Sequence, residues 1–210
     1  MSATLRAADL TRQLLAYSGQ EAFVIRPLNL SHEVRELATL LRTVISKQAV
    51  VVWDLAEKLP AVRGDATQIR QVVMNLLTNA SDALGEAPGT ITLRTGVGRP
   101  EDEPGDQMYA FLEVADTGCG MDSDTLQRIF DPFFSTKYAG RGLGLAAVMG
   151  IVDGHHGRIR IRTAVGEGTR FRIYLPTVTA AAEAENRPVK SSNWRGSGLV
   201  LVVEDRKSVV

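Results

Sequence analysis

The sequence predicts an α/β fold in two layers, a β-sheet with helices packed on only one of its faces. The first observation is the alternation within two predicted strands, 158–163 and 170–175. Their apolar residues point one way: Ile159, Ile161, Phe171, Ile173 and Leu175; their arginines point the other way: Arg158, Arg160, Arg162, Arg170 and Arg172. Alternation of this kind means that one sheet face is buried and the other is wet. The second observation is an apolar stripe on a predicted helix, 66–84, which forms a matching core-facing side.

The N-terminal quarter predicts two helices joined by an extended segment. A helix over 3–18 is followed by an extended stretch at 26–28, because the residue before a proline disfavours helical dihedrals. A second helix is expected across 33–47, with Asn29 or Ser31 as its cap.

The next elements are a strand and the long helix that carries the apolar stripe. An apolar run predicts a strand over 50–55, and a proline and a glycine mark a loop after it. The helix 66–84 is expected to be capped by Asp65 or Thr67. Its core face carries five apolar residues: Ile69, Val73, Leu76, Ala80 and Leu84.

After this helix the pattern changes to strands and glycine-rich loops. Strands are predicted over 90–95 and 109–115, and a long loop over 116–144. A helix over 145–152 follows, and the glycines of 166–168 join the last two strands into a hairpin.

The C-terminal region is predicted to lie outside this domain. Pro176 closes the domain, and 177–198 has the composition of a linker. The apolar run 199–203 is then a strand that ends in Glu204 and Asp205.

Composition excludes several classes of protein. The 210 residues are 44% hydrophobic with a formal net charge of zero, so a generally basic nucleic-acid binder is not expected. One cysteine excludes a disulfide framework, and two of the three histidines are neighbours in sequence, which is poor spacing for a metal cage. No run approaches the roughly 18 apolar residues of a membrane helix. We expect a cytoplasmic chain, and a longer parent could still be membrane-anchored.

The first candidate functional motif is a polar stripe on the predicted helix 66–84. Asn75, Asn79 and Asp82 are spaced to lie on one side of it, opposite the apolar stripe. A solvated helix face is one interpretation. An amide oxygen is also a suitable ligand for Mg²⁺, which keeps several waters and bridges to phosphates.

The second motif is an acid at the end of an apolar strand. Asp116 is followed by Gly118, Cys119 and Gly120. A carboxylate backed by flexible backbone can accept a hydrogen bond from an exocyclic amine, although an Asx-turn would leave the same pattern. Cys119 is expected to be a small apolar filler rather than a nucleophile.

The third motif is a glycine-rich segment that opens a helix. Its glycines are Gly140, Gly142 and Gly144, with Lys137 and Arg141 as nearby cations. Exposed N–H groups at a helix start attract phosphate. A dinucleotide fingerprint is rejected because no strand precedes the segment and a hairpin follows it, and no P-loop sequence occurs.

Taken in order, these motifs resemble the N, G1, F and G2 boxes of sensor histidine kinases. The four boxes correspond to Asn75–Ala80, Asp116–Gly120, Phe130–Lys137 and Gly140–Leu145. The resemblance covers roughly residues 25–176. It implies the Bergerat ATP-binding fold of the GHKL superfamily, with a mixed, mostly antiparallel sheet. The residues within and directly after these boxes are similar to those of nitrogen-regulation-type and hybrid kinases.

The resemblance also implies a role for each residue. Asp116 would bind the adenine amino group, and Asn79 would coordinate Mg²⁺ on the phosphates with help from Asn75. Phe133 and Phe134 would pack the base of a lid over the phosphates or would simply be core residues. The other residues implied in ATP binding are Asp82, Gly118, Gly120, Lys137, Gly140, Arg141, Gly142, Leu143 and Gly144.

An asparagine at position 75 favours a kinase over an ATPase. Hydrolysing relatives have a glutamate there, and an amide cannot act as a general base. The implied reaction transfers the γ-phosphoryl group of ATP to a histidine elsewhere, since His32 is expected at the surface or as a cap. His155 and His156 lie in a predicted turn and are expected to be structural.

The implied domain organisation is a kinase fragment. Residues 1–20 would be the tail of a dimerisation helix, 21–176 the catalytic domain, and 199–210 the start of a receiver domain. Expected partners are ATP, the dimerisation and receiver domains of a homodimeric parent, and a response regulator, but no nucleic acid. A non-catalytic or anti-sigma-like ATP-binding module of the same fold is the alternative.

Overall fold

The structure is a computed structural model that describes residues 24–37, 45–46, 48–102, 105–136 and 142–178. The strands are β1 (Arg26–Leu28), β2 (Ala49–Leu55), β3 (Val62–Gly64), β4 (Gly89–Gly98), β5 (Tyr109–Asp116), β6 (Arg158–Ala164) and β7 (Gly168–Pro176). The helices are α1 (Leu30–Glu36), α2 (Ala66–Leu84), α3 (Ser123–Arg128) and α4 (Gly144–Gly154).

The main sheet has five strands in the order β2-β4-β5-β7-β6. Its edge strand β2 runs parallel to β4, and the other three pairings are antiparallel. A second, two-stranded sheet pairs β1 with β3. The predicted class, a two-layer α/β sandwich with a mixed, mostly antiparallel sheet, is confirmed.

Helix α2 forms where the sequence predicted it. The Asp65 side chain caps its first turn by accepting hydrogen bonds from the N–H groups of Thr67 and Gln68. Gly85 ends it with φ of 60°, a left-handed conformation that glycine adopts without steric cost. The five apolar residues expected on its core face are all buried.

The core lies between the sheet and the helices α2 and α4. Ile91, Leu93 and Leu112 of the sheet are fully buried there, and Ile159 and Ile161 of β6 pack against the same core. The arginines of β6 and β7 lie on the opposite face, as the alternation predicted.

The second predicted helix is misplaced. It was expected over 33–47, whereas α1 spans Leu30–Glu36; residues 38–44 and 47 lie outside the described part. The Asn29 side chain accepts a hydrogen bond from the N–H of His32, so Asn29, one of the two predicted caps, is the cap. The helix begins three residues before the predicted start.

Two further elements lie where loops were predicted. Strand β3 forms because it pairs with β1, a contact between distant segments. Helix α3 lies within the predicted loop 116–144. The Asp122 side chain caps this helix by accepting a hydrogen bond from the N–H of Thr125. Hydrogen bonding from Thr125 also lowers the pKa of Asp122.

The predicted helix 3–18, most of the linker 177–198 and the strand 199–203 lie outside the described residues. Within the described ranges, no helix combines the length and the apolar character needed to cross a membrane.

Candidate functional site

The polar stripe of α2 is a contact surface rather than a fully solvated face. Asn75 and Asn79 are half-buried, and Asp82 is exposed. The Asn75 side-chain amide donates a hydrogen bond of 3.2 Å to the carbonyl oxygen of Gly144, the first residue of α4. This bond brings the first and third motifs together across 69 positions of sequence.

Asp116 ends β5 and is held by two backbone donors. Its Oδ1 accepts hydrogen bonds from the N–H of Gly118 at 2.8 Å and from the N–H of Thr169 at 3.3 Å. The first of these is the Asx-turn anticipated from sequence. A carboxylate offers about four acceptor positions, so an oriented Asp116 can still accept from a ligand amine.

The loop after Asp116 approaches the end of α2 closely. A Cβ on Gly118 would lie 2.6 Å from the carbonyl carbon and oxygen of Ala83. The N–H of Cys119 donates to that same carbonyl oxygen at 3.0 Å. The second motif is therefore joined to the helix that carries the first, and only glycine fits at position 118.

Gly120 requires glycine for a second reason. Its φ is +65°, and a Cβ there would lie 1.9 Å from the carbonyl oxygen of Ala164 at the end of β6. The N–H of Gly166 in the hairpin turn donates to the carbonyl oxygen of Cys119 at 2.8 Å. The loop therefore contacts α2 on one side and the β6–β7 hairpin on the other.

The expectation for Cys119 is wrong. Its side chain is exposed and is not an apolar filler. Both backbone groups of Cys119 are hydrogen-bonded, to Ala83 and to Gly166, so the main chain of this loop is fixed while the thiol faces outward.

The N-terminus of α4 has the character of an anion site. Leu143 occupies the cap position and makes no side-chain capping hydrogen bond. N–H groups of the first helical turn without a side-chain cap attract negative charge. Gly142 and Gly144 lie at this end, whereas Lys137, Gly140 and Arg141 lie outside the described residues.

The two phenylalanines of the third box have different surroundings. Phe133 was expected to pack, but its side chain is 70% exposed and its φ is +68°. Its N–H donates to the carbonyl oxygen of Gly142 at 2.9 Å, which holds this unusual conformation. Phe134 is half-buried, and the guanidinium of Arg128 lies 4.4 Å from its ring centre.

Thr169 is a positioning residue that the sequence analysis missed. It is buried, lies opposite Asp116 in the β5–β7 pairing, and supplies one of the two N–H groups that orient the carboxylate. No periodic pattern signals this role, because it depends on which strands become neighbours.

The three histidines have the positions expected from sequence. His32 is exposed on α1, and His155 is buried directly after α4, where both ring nitrogens are hydrogen-bonded. His156 is exposed and has φ of 55°.

The residues present fit a nucleotide with its magnesium ion. A carboxylate at one end, amide side chains in the middle and an uncapped helix start at the other end match an adenine, a hard cation and phosphates respectively. Across the described ranges there is no group of three or more His, Cys, Asp or Glu residues placed to hold a metal.

Comparison with known proteins identifies the family of the chain. Residues 64–179 match the family described as histidine kinase-, DNA gyrase B-, and HSP90-like ATPase. The chain is 38% identical over 221 aligned positions to the sensor kinase CckA of Brucella abortus (strain 2308). That alignment covers 97% of this chain but only 23% of the Brucella protein, so the chain spans about a quarter of that relative.

Two solved structures are also similar. Full-length ShkA in complex with AMPPNP superposes with a TM-score of 0.67 at 26% identity, covering 83% of this chain and 36% of ShkA. Histidine kinase ThkA in complex with the response regulator protein TrrA gives 0.64 at 25% identity, covering 88% of this chain and 49% of that one.

Proposed function

Because the chain belongs to the histidine kinase-, DNA gyrase B- and HSP90-like ATPase family, we propose that it is the catalytic domain of a two-component sensor histidine kinase. It binds ATP and transfers the γ-phosphoryl group to a histidine on a dimerisation domain. The observation that carries this proposal is the hydrogen bond between Asn75 and Gly144, which joins the amide stripe to the helix start.

Asp116 is proposed to recognise adenine. The N–H groups of Gly118 and Thr169 orient its carboxylate at the end of β5. In this orientation it would accept a hydrogen bond from the exocyclic amino group. Gly118 and Gly120 keep the backbone close to the base, because any side chain at either position would collide with the main chain.

The phosphates are proposed to lie at the start of α4. Gly142, Leu143 and Gly144 present backbone N–H groups to them, and the helix dipole favours their negative charge. Lys137, Gly140 and Arg141 would complete the lid, with the two cations as phosphate contacts.

Asn79, assisted by Asn75, is proposed to hold Mg²⁺ through its side-chain oxygen, with Asp82 on the same stripe of α2. A Mg²⁺ ion held there would neutralise negative charge on the phosphates during phosphoryl transfer. Both asparagines are half-buried, and Asn75 contacts the start of α4.

Asn75 is proposed to preserve ATP for the acceptor. Its amide has no basic group and donates to the carbonyl oxygen of Gly144, so it cannot remove a proton from a water molecule. This favours transfer to histidine over hydrolysis.

The acceptor histidine is proposed to come from another part of the parent protein. His32 lies on a seven-residue helix of the catalytic domain, and His155 is buried with both ring nitrogens occupied. The parent is proposed to be a cytoplasmic or membrane-anchored homodimer that passes the phosphoryl group to a receiver domain and a response regulator.

The test is phosphoryl transfer between separate polypeptides. The chain is mixed with radiolabelled Mg·ATP and a histidine-bearing dimerisation domain, and acid-labile label is measured on the latter. We expect label there, much less label after Asp116→Asn at subsaturating ATP, and little phosphate release by the chain alone. ATP binding without any transfer would favour the non-catalytic module. Stoichiometric label on His32 would contradict the proposed source of the acceptor.

A further inference from the structure

The outer face of the main sheet, which we define as the face turned away from the helices, is rich in arginine. Six arginines lie on it: Arg94 of β4, Arg170 and Arg172 of β7, and Arg158, Arg160 and Arg162 of β6. The register sets Arg160 opposite Arg172 and Arg162 opposite Arg170. Like charges opposite one another are destabilising, so this face needs carboxylates.

One carboxylate on this face is buried and paired with arginine. Glu113 of β5 is only 2% exposed, and Arg172 donates to its Oε2 from Nε at 2.6 Å and Nη2 at 2.5 Å. Arg94 and Arg170 lie within 4.0 Å of its other oxygen. The guanidinium of Arg172 also stacks over Phe111 at 4.7 Å. The buried Glu113 and the arginines around it are part of the fold.

Two other carboxylates on this face are exposed to solvent. Glu101 and Asp102, in the loop between β4 and β5, pair with Arg162 and Arg160 respectively. Their side chains are 87% and 70% exposed. Exposed ion pairs of this kind contribute little to stability and are exchanged readily. A pocket of about 230 Å³ lies between these acids and the arginines.

We propose that the outer face is a docking surface for an acidic segment of a partner protein. Neighbouring carboxylates of that segment would take the places of Glu101 and Asp102 on Arg162 and Arg160. The loop contact demonstrates the fit, because two consecutive acidic residues of one chain already span these two arginines.

The chemistry of the face favours a carboxylate-bearing partner. Arginine presents a planar fork that matches a carboxylate in two hydrogen bonds. In the described part of this face, four carboxylates form ion pairs with arginines: Asp54, Glu101, Asp102 and Glu113. The face concentrates arginine in a chain whose formal net charge is zero.

The docking surface is separate from the nucleotide site. Asn75 and Asn79 lie on α2, which packs against the opposite face of the sheet. A partner on the arginines would not touch bound ATP, so variants of Arg160 and Arg162 should keep their ATP affinity.

The experiment measures binding of a fluorescent synthetic peptide made of Glu–Asp pairs separated by glycine, using anisotropy at low salt with the full chain. The Arg160→Gln/Arg162→Gln variant should bind about tenfold more weakly. The Glu101→Gln/Asp102→Asn variant should bind severalfold more tightly, because the internal competitor is neutralised. Arg63→Gln, an exposed arginine on β3, is the matched control and should leave binding unchanged.

Three results would overturn the proposal. Equal peptide affinity for the wild-type chain and the folded Arg160→Gln/Arg162→Gln variant would exclude these arginines. No gain from Glu101→Gln/Asp102→Asn would exclude competition by the loop, even if the arginine variant failed to fold. Tighter binding of polyphosphate or of anionic lipid vesicles than of the peptide would replace the protein partner with another polyanion.

Discussion

The backbone N–H of Asp65 donates a hydrogen bond of 3.0 Å to Nε2 of His155, which lies 90 positions later in the chain. The other ring nitrogen, Nδ1, lies 2.7 Å from the carbonyl oxygen of Ile151. Since Nε2 is the acceptor, Nδ1 carries the proton and donates to Ile151. One buried imidazole therefore ties the start of α2 to the end of α4, the two helices that carry the candidate phosphate and metal residues.

Replacing His155 by alanine should destabilise the domain by about 2–4 kcal/mol, through unpaired polar groups and a cavity. The free energy of unfolding, from denaturant titration, measures this. His156→Asn is the matched control, because His156 is exposed with φ of 55°, a conformation that asparagine tolerates. Equal losses in the two variants would deny His155 its bridging role.

The ionised Asp65 carboxylate should stabilise the domain at neutral pH, and this stabilisation should be lost at acidic pH. Burial acts to raise the pKa of Asp65, but hydrogen bonds from the N–H groups of Val24, Gln68 and Thr67 outweigh it, and the pKa lies below its ordinary value of 3.8. A lowered pKa means that the ionised form is favoured by folding. The stabilisation is therefore complete above the unfolded-state pKa and is lost as pH falls through the folded-state pKa.

Asp65→Asn isolates this charge, because asparagine remains a good helix cap. Its stability deficit relative to the wild type should be constant near neutral pH and should shrink below about pH 4. Asp65→Ala removes the cap as well and should cost about 1 kcal/mol more than Asp65→Asn at both neutral and acidic pH. Unfolding curves of the wild type and both variants at several pH values check these expectations. A stability deficit of Asp65→Asn that grows as the pH falls would show that the Asp65 charge does not stabilise the folded state.

Asp116→Asn should weaken ATP binding by about 1–3 kcal/mol, because an amide NH₂ group can face the adenine amino group and leave it unmatched. The asparagine oxygen can still accept from Gly118, so the turn should survive. Isothermal calorimetry gives the affinity, with the exposed Asp124→Asn as the control. Unchanged affinity in the Asp116 variant would defeat the adenine assignment.

Asn79→Ala should remove the dependence of ATP binding on Mg²⁺, because the proposed amide ligand is lost. Calorimetry in Mg²⁺ and in excess chelator measures the difference. Thr78→Ala, at the neighbouring exposed position of α2, should keep the full dependence. If Asn79→Ala still binds ATP more tightly with Mg²⁺, the metal ligand must be elsewhere.

Gly118→Ala should displace the loop after Asp116. The added Cβ would meet main-chain atoms of Ala83 at 2.6 Å, and a backbone cannot move aside as a flexible side chain can. We expect a stability loss of about 1–3 kcal/mol together with weaker ATP binding. Cys119→Ser, at the exposed neighbouring position, is the control. Wild-type behaviour of Gly118→Ala in both measurements would show that the close approach is dispensable.

Much of the fold follows from patterns within single segments. The period of α2, its bounds of 66–84 and a cap at Asp65 or Thr67 were predicted from sequence, because helix formation depends on residues three and four apart. The alternation in β6 and β7 predicted one buried face, because successive side chains of a strand point to opposite faces of the sheet. The candidate site residues were found by motif order, which also needs no three-dimensional information.

The remaining features depend on which distant segments become neighbours. The parallel pairing of β2 with β4, the short strand β3 and the role of Thr169 depend on contacts that no local period encodes. Exposure of Cys119 and Phe133 was misjudged for the same reason, since neither residue type nor spacing reveals what covers a loop.

The two-layer class, the long helix and the order of the candidate motifs could be inferred from residue patterns. The contacts of Asn75 with Gly144 and of His155 with Asp65, and the burial of Glu113 among arginines, required the folded chain. Helix and strand periods are set by neighbours along the chain. Hydrogen bonds and ion pairs between distant residues exist only once packing has brought their partners together.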